Sequence, residues 1–250
     1  MSELSTLRRI GHKGADHIAP GNTAASFDAA LEHGVDMIEF DVLPEDWRRP
    51  SEGRLLLSHD YEHDLSQALT LEEGLAHLAS TPFTGVELDV DLKIPGYEAR
   101  VVEALRHYGL VERTLVSTQY MRSLVEIRAL EPRLRLGWSV PRVKRDYAAS
   151  PLWAVPAWAL LLRMRRRLPA AARTHLEAGR CDAVMSHWRL VTQRLVRTVR
   201  EGGGELYVWT VDDARRIRSL EALGVTGVIT NDPRLFDASG AQAIEQLAAE

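Results

Sequence analysis

The chain has 250 residues, 45% of them hydrophobic and 26% charged, which suits one soluble globular domain of the size of a single α/β barrel. A formal net charge of -4 lacks the basic excess of a nucleic-acid binder, so nucleic acid is not an expected partner. Cys181 is the only cysteine, which excludes an internal disulfide, and the opening MSELSTLRRIGHKG has no apolar run like a signal peptide's, so a cytoplasmic location is expected.

The first β-rich run is RRIGH, centred on 9–12. Asn22-Thr23 then offers an N-cap for the amphipathic stretch AASFDAALEHG, which Gly34 stops. DMIEFDV (36–42) is the second run, and residues 43–58 read as a loop with a short inserted strand before the helical stretch from Leu71. VELDVDL (86–92) precedes a helix from Tyr97, TLVST (114–118) a helix from Tyr120, and RLRLGWSV, around 133–140, is the fifth run. Residues 141–181 are too long for one loop-helix-loop and form a second insertion. DAVMS (182–186), LYVWTV (206–211) and GVIT (227–230) complete eight runs, with helices beginning at Val191 and Asp212 between them. Eight alternations predict a (β/α)₈ TIM barrel, one domain over 1–250 with its core at about 8–237 and insertions after strands 2 and 5. Both insertions follow a strand, so both project from the C-terminal face, where barrel active sites are built.

Alternation within the strands is informative. In VELDVDLK, Val86, Leu88, Val90 and Leu92 share one face, and Glu87, Asp89, Asp91 and Lys93 share the other. The apolar face must meet the helices, so the acids point into the lumen. DMIEFDV repeats the pattern, with Glu39 and Asp41 inward near the strand end. Such acids either pair with a base such as Arg9 or bind a cation. Two strands aiming carboxylates at one region favour the cation, because like charges crowded in low dielectric repel. Glu39, Asp41 and Asp91 are the candidate ligands of one divalent cation, Mg²⁺ or Ca²⁺. Glu87 and Asp89 lie deeper and are assigned to structural pairing.

His12 ends the first strand and His59 the inserted strand, each after an apolar run and before turn residues. Two imidazoles there could move the protons that cleavage of a phosphodiester requires. His187, after the sixth strand, is left open. Lysine occurs only at 13, 93 and 144; Lys13 and Lys93 stand at strand ends, each suited either to hold a phosphate oxygen or to neutralise Glu39 or Asp91. Trp209 either walls a substrate cleft or fills the barrel.

The order His12-Lys13-Gly14, PGNT (20–23), IEFDV (38–42), SHD (58–60), DLK (91–93), VWTVDD (208–213) and GVITNDP (227–233) resembles the glycerophosphodiester phosphodiesterase family over about residues 8–237. The resemblance implies a (β/α)₈ barrel, a bound Ca²⁺ or Mg²⁺, and hydrolysis of glycerophosphodiesters to an alcohol and glycerol 3-phosphate. It implies His12 and His59 as the acid-base pair and Glu39 and Asp41 as metal ligands; Lys13, Lys93 and Trp209, from their positions at strand ends, are the candidate substrate-binding residues. Asp91 stands where the family usually has glutamate two residues before the lysine. Lys13 replaces the usual arginine of His-Arg-Gly, and Gly21 the usual glutamate of PENT.

The near alternative is phospholipase D-like action on lysophospholipids; the other is a barrel that binds phosphorylated ligands without turnover. Residues 151–168, PLWAVPAWALLLRMRRRL, are too short an apolar run to span a bilayer. As a helix they align Trp153, Ala157, Leu160, Leu161, Met164 and Leu168 in one stripe, with Arg163, Arg165, Arg166 and Arg167 largely off it. That stripe either packs on the barrel or makes a peripheral contact with an anionic membrane.

Overall fold

The computed structural model describes residues 6–62, 65–141 and 154–237. Their strands are β1 (Arg8–Gly11), β2 (Met37–Pro44), β3 (Leu55–Leu57), β4 (Glu87–Leu92), β5 (Thr114–Thr118), β6 (Arg135–Val140), β7 (Ala183–His187), β8 (Glu205–Trp209) and β9 (Gly227–Thr230). All but β3 run parallel, and β1 pairs with both β9 and β2, which closes an eight-stranded barrel. β3 is the inserted strand, antiparallel to the end of β2 with Val42 opposite Leu57. The helices are α1 (Ala24–Glu32), α2 (Leu71–Leu78), α3 (Glu98–His107), α4 (Met121–Leu130), α5 (Ala154–Glu177), α6 (Gln193–Glu201) and α7 (Ala214–Leu223).

Period-two alternation separates two cores. Ile38, Phe40, Val42, Leu88, Val90 and Leu92 face outward and share one large cluster with helix residues such as Phe27, Leu75 and Val101. Each fully buried side chain of that size contributes about 1.5–3 kcal/mol. Ile10, Met37, Leu115, Ala183, Met185, Tyr207 and Ile229 face inward and form a separate lumenal cluster. Below it, Glu87 pairs with Arg8 and Arg135, and Arg135 reaches Glu205 at 3.3 Å. The lumen is therefore polar at its base, largely apolar at mid-height, where Asp89 is the buried exception, and acidic at the C-terminal mouth.

The structural pairing expected of Glu87 is present, but that expected of Asp89 is corrected: neither of its oxygens finds a hydrogen bond of normal geometry. Burial, helped by the neighbouring Asp91 charge, pushes its carboxyl up to about 8, so it is held mostly as the neutral acid. Arg9, the base suggested for the acids, instead points outward to Asp237 at 3.1 Å.

Of the Asn22-Thr23 pair, Thr23 is the cap of α1. Its hydroxyl accepts from Ser26 N at 3.2 Å, and Ser26 Oγ accepts from Thr23 N at 3.3 Å, a capping box. In α5, Leu161, Met164 and Leu168 pack against the outer core. Leu160 does not join them: it is 53% exposed, a correction to the expected stripe. Trp153 and the side chain of Ala157 lie outside the described residues. No helix among the described residues is long and apolar enough to cross a membrane.

Candidate active site

The mouth is built where β1, β2 and β4 end. Register places Asp41 beside Asp91 and Glu39 beside Asp89, so two strands carry their acids to one level. Glu39, Asp41 and Asp91 each offer an oxygen within 4.8 Å of the others. Lys93 joins them, 2.5 Å from Asp91 Oδ2 and in contact with Asp41 Oδ1. Fully ionised, three carboxylates beside one ammonium would carry two negative charges, the charge that one divalent cation neutralises. Without a cation the cluster resists that full ionisation. Burial, and then repulsion from Asp41, push Glu39 well above the usual carboxylate range. Burial also opposes ionisation of Asp41, but Lys93 and the nearby His12 and His59 outweigh it and hold that carboxyl low. Burial opposes the charge on Lys93 as well, yet Asp41 and Asp91 keep it firmly protonated. Oxygen donors of this number and closeness fit a hard divalent cation.

His12 follows the last residue of β1. Its backbone N donates to Thr230 O at 2.8 Å, and its Nδ1 lies 2.6 Å from Asn231 Oδ1. The Asn231 amide is fixed in turn, Nδ2 donating to Asp212 Oδ2 at 2.7 Å and the backbone N to Asp212 Oδ1 at 2.8 Å. With the Asn231 NH₂ turned to a carboxylate, its oxygen must face His12, so Nδ1 carries the proton. Nε2 is left as the acceptor, on the Glu39 side at 3.9 Å from Oε2. Burial, opposed by Asp41, lowers the His12 pKa and favours the neutral ring.

Gly14 has φ 86°, and a Cβ there would come within 2.6 Å of the Ser26 backbone, so the turn after His12 passes directly over the start of α1. Ser26 Oγ donates to Lys13 O at 2.7 Å, and Lys13 N donates to Glu39 Oε2 at 2.8 Å. The Lys13 amine meets Asp16 Oδ2 at 3.3 Å, whose other oxygen accepts from Gly21 N at 2.8 Å. A Cβ at Gly21 would lie 2.5 Å from Asp16 Oδ1 and 2.8 Å from Lys13 Cβ. A carboxylate thus does stand beside Lys13, supplied by Asp16, and it fills the space a side chain at 21 would need.

His59 sits on the loop after β3, its side chain 54% exposed and Nδ1 3.1 Å from Asp60 Oδ2. Trp209 ends β8 against the lumenal cluster, edge-on to His187 at 5.2 Å between ring centres. Its buried Nε1 has no hydrogen-bond partner among the described residues.

The sequence assigns no site role to two further residues. Asn22 has φ 60°, a left-handed conformation that asparagine tolerates. Its Nδ2 donates to Asp41 Oδ2 and its Oδ1 accepts from Asp41 N, both at 3.0 Å. β1 has ended by this level, so the Asp41 amide has no strand beside it on that side. Asn231 is the other; both lie inside motifs quoted above, PGNT and GVITNDP, where asparagine reads as a cap or turn residue.

The family model described as Glycerophosphoryl diester phosphodiesterase family matches residues 12–68 and 58–235. A glycerophosphodiester phosphodiesterase of Caldanaerobacter subterraneus is 24% identical over 259 residues, covering 90% of this chain and 93% of the relative. The crystal structure of a glycerophosphodiester phosphodiesterase from Parabacteroides distasonis matches with a TM-score of 0.71 at 18% identity, over 96% of this chain and 99% of the other. An Oleispira antarctica phosphodiesterase, solved with the product sn-glycerol-3-phosphate, matches with a TM-score of 0.69 at 20% identity, over 94% and 97%.

Proposed function

Because the chain belongs to the glycerophosphoryl diester phosphodiesterase family, a family of phosphoric diester hydrolases, we propose that it cleaves glycerophosphodiesters to an alcohol and glycerol 3-phosphate with a divalent cation as cofactor. The observation that carries this reading is the pairing of a three-acid cluster with an oriented neutral imidazole beside it. Glu39, Asp41 and Asp91 would hold the cation, Mg²⁺ or Ca²⁺, which when bound polarises the phosphoryl group.

His12 Nε2 takes the proton of the attacking hydroxyl, from water or from the adjacent glycerol hydroxyl, as its oxygen bonds to phosphorus. The bond from phosphorus to the alcohol oxygen breaks, and His59 supplies the proton with which the alcohol leaves; where the glycerol hydroxyl attacks, the product is a cyclic phosphodiester that water then opens to glycerol 3-phosphate by the reverse proton transfers. His59 suits an entering and departing partner because it lies at the exposed rim. Lys13 and Lys93 balance charge on the phosphate oxygens, and Trp209 walls the cleft. A cytoplasmic site of action fits the single, buried, free Cys181. Lysophospholipid as substrate is a second reading, favoured by exposed Trp158 and Leu160 on the crossover helix after β6.

Purified full-length protein and a glycerophosphodiester panel test the reading. Alcohol should be released only when Mg²⁺ or Ca²⁺ is present. His12→Ala and His59→Ala should each slow release by about 10²–10⁴-fold with cation affinity retained. Saturable binding of the panel without release would replace the hydrolase with a ligand-binding barrel.

A further inference from the structure

α5 is much longer than its place in the barrel requires. It has 24 residues where the other six helices have 8 to 10, so it extends roughly 36 Å against about 15 Å. Its packed stripe is Leu161, Met164, Leu168, Ala172 and Leu176. Before that stripe begins, Trp158 is 61% and Leu160 53% exposed. A crossover helix runs back against the strand it follows, and α5 follows β6. Its first turns therefore stand at the C-terminal face, beyond the part of the helix that the barrel covers.

The order of residues along that projecting end is graded. Positions 154–162, AVPAWALLL, carry no charge, and positions 163–167, RMRRR, carry four. Arg165 is turned inward, donating to Arg189 O at 2.6 Å, whereas Arg163, Arg166 and Arg167 are exposed with no acidic partner among the described residues. Arg189, tied to the helix by that bond, and Arg216 both lie over Trp188, 4.5 Å and 3.8 Å from its ring centre. From Trp158 to Arg165 is about 10 Å along the axis, comparable to the roughly 5–10 Å by which apolar groups of interfacial helices enter a bilayer. An apolar tip above an arginine collar is thus spaced for acyl chains above and lipid phosphates below.

We propose that the projecting end of α5 docks on an anionic membrane surface, its tip entering the headgroup-acyl boundary and Arg163, Arg166 and Arg167 binding lipid phosphates. The docked enzyme turns its mouth toward lipid-borne glycerophosphodiesters, a consequence that rests on the hydrolase reading. The docking itself does not depend on it.

Vesicle co-sedimentation of the full chain tests this, using phosphatidylcholine vesicles with and without phosphatidylglycerol at low and high salt. The wild type should sediment with the anionic vesicles at low salt and far less at high salt. Each arginine near such a surface strengthens binding about fivefold, so Arg163→Gln/Arg166→Gln/Arg167→Gln should weaken it roughly a hundredfold. Trp158→Ser/Leu160→Ser should weaken binding at both salt concentrations. Both variants should cleave a soluble glycerophosphodiester at the wild-type rate, which shows they are folded and separates this test from that of the activity. Absence of binding to anionic vesicles at low salt overturns the proposal, as does binding unchanged in both variants. A concentration-dependent dimer that Trp158→Ser/Leu160→Ser dissolves, without vesicle binding, assigns the tip to a second copy of the chain and also overturns it.

Discussion

Asn22 offers a quantitative test of how the proposed cation ligands are held. Asn22→Gly removes both of its bonds to Asp41 while permitting the left-handed backbone at φ 60°. Asn22 is only 6% exposed and Asp41 fully buried, so water does not readily replace the lost groups. Each buried hydrogen bond left unmade costs about 1–3 kcal/mol, which gives roughly 2–6 kcal/mol for the pair. In a domain of this size each kcal/mol moves Tm by about 2–4 °C, so Asn22→Gly should melt several degrees lower. Asn22→Ala should be worse by about 1–2 kcal/mol, because alanine also bears the left-handed strain. Thermal melts of the three proteins measure the stability, and calorimetric titration with Mg²⁺ and Ca²⁺ measures the affinity, which should fall in both variants as Asp41 loses its anchor. Equal melting of wild type and Asn22→Gly, or Asn22→Ala more stable than Asn22→Gly, would refute the reasoning.

Asn231→Leu frees the His12 ring to rotate and removes the group that fixes its tautomer; kcat should fall with KM nearly unchanged, and a pure KM effect would contradict that role. Chelation should lower Tm by removing the ion that joins three acids; Asp91→Glu should retain cation binding and Asp91→Asn weaken it, as read by calorimetry. Gly21→Ala should displace Asp16 from the Lys13 amine, since its Cβ would meet Asp16 Oδ1 at 2.5 Å, and should raise KM for the phosphodiester. Hydrogen bonds from Arg133 and Arg106 hold the Glu131 carboxyl down at about 2 against an ordinary 4.5. A depressed carboxylate stabilises above its unfolded pKa and loses that contribution as pH falls through the folded one. The Tm gap between wild type and Glu131→Gln should therefore be full above pH 4.5 and close toward pH 2, as melts across that range will show.

The barrel is legible in the sequence because VELDVDL alternates throughout and DMIEFDV does so from Ile38 onward, and a period-two pattern of that kind assigns the two faces. The same alternation is enough to aim Glu39, Asp41 and Asp91 at one region of the lumen. Contacts between distant turns are not legible. Asn22 and Asn231 lie in segments where asparagine is an ordinary cap or turn residue, and their partners are 19 and 219 residues away. Asp16 is hidden for a related reason: the family pattern carries its acid at position 21, whereas here the loop folds back and Asp16 takes up the space and charge beside Lys13. Leu160 departs from the stripe because helical periodicity says which residues share a face, not how far along the helix its neighbours continue.

The lumen also keeps two charge systems apart. Glu87 and Asp91 are on the same strand face four residues apart, about 13 Å along β4. Around that span lie Ile10, Met37, Leu115, Met185, Tyr207 and Ile229, and Asp89, the residue between Glu87 and Asp91 on that face, is held mostly as the neutral acid. The paired charges of Arg8, Glu87, Arg135 and Glu205 cancel locally, so the base adds no net charge beneath the mouth. The floor of the barrel can therefore be rewired for stability while the chemistry at the mouth keeps its own charge balance.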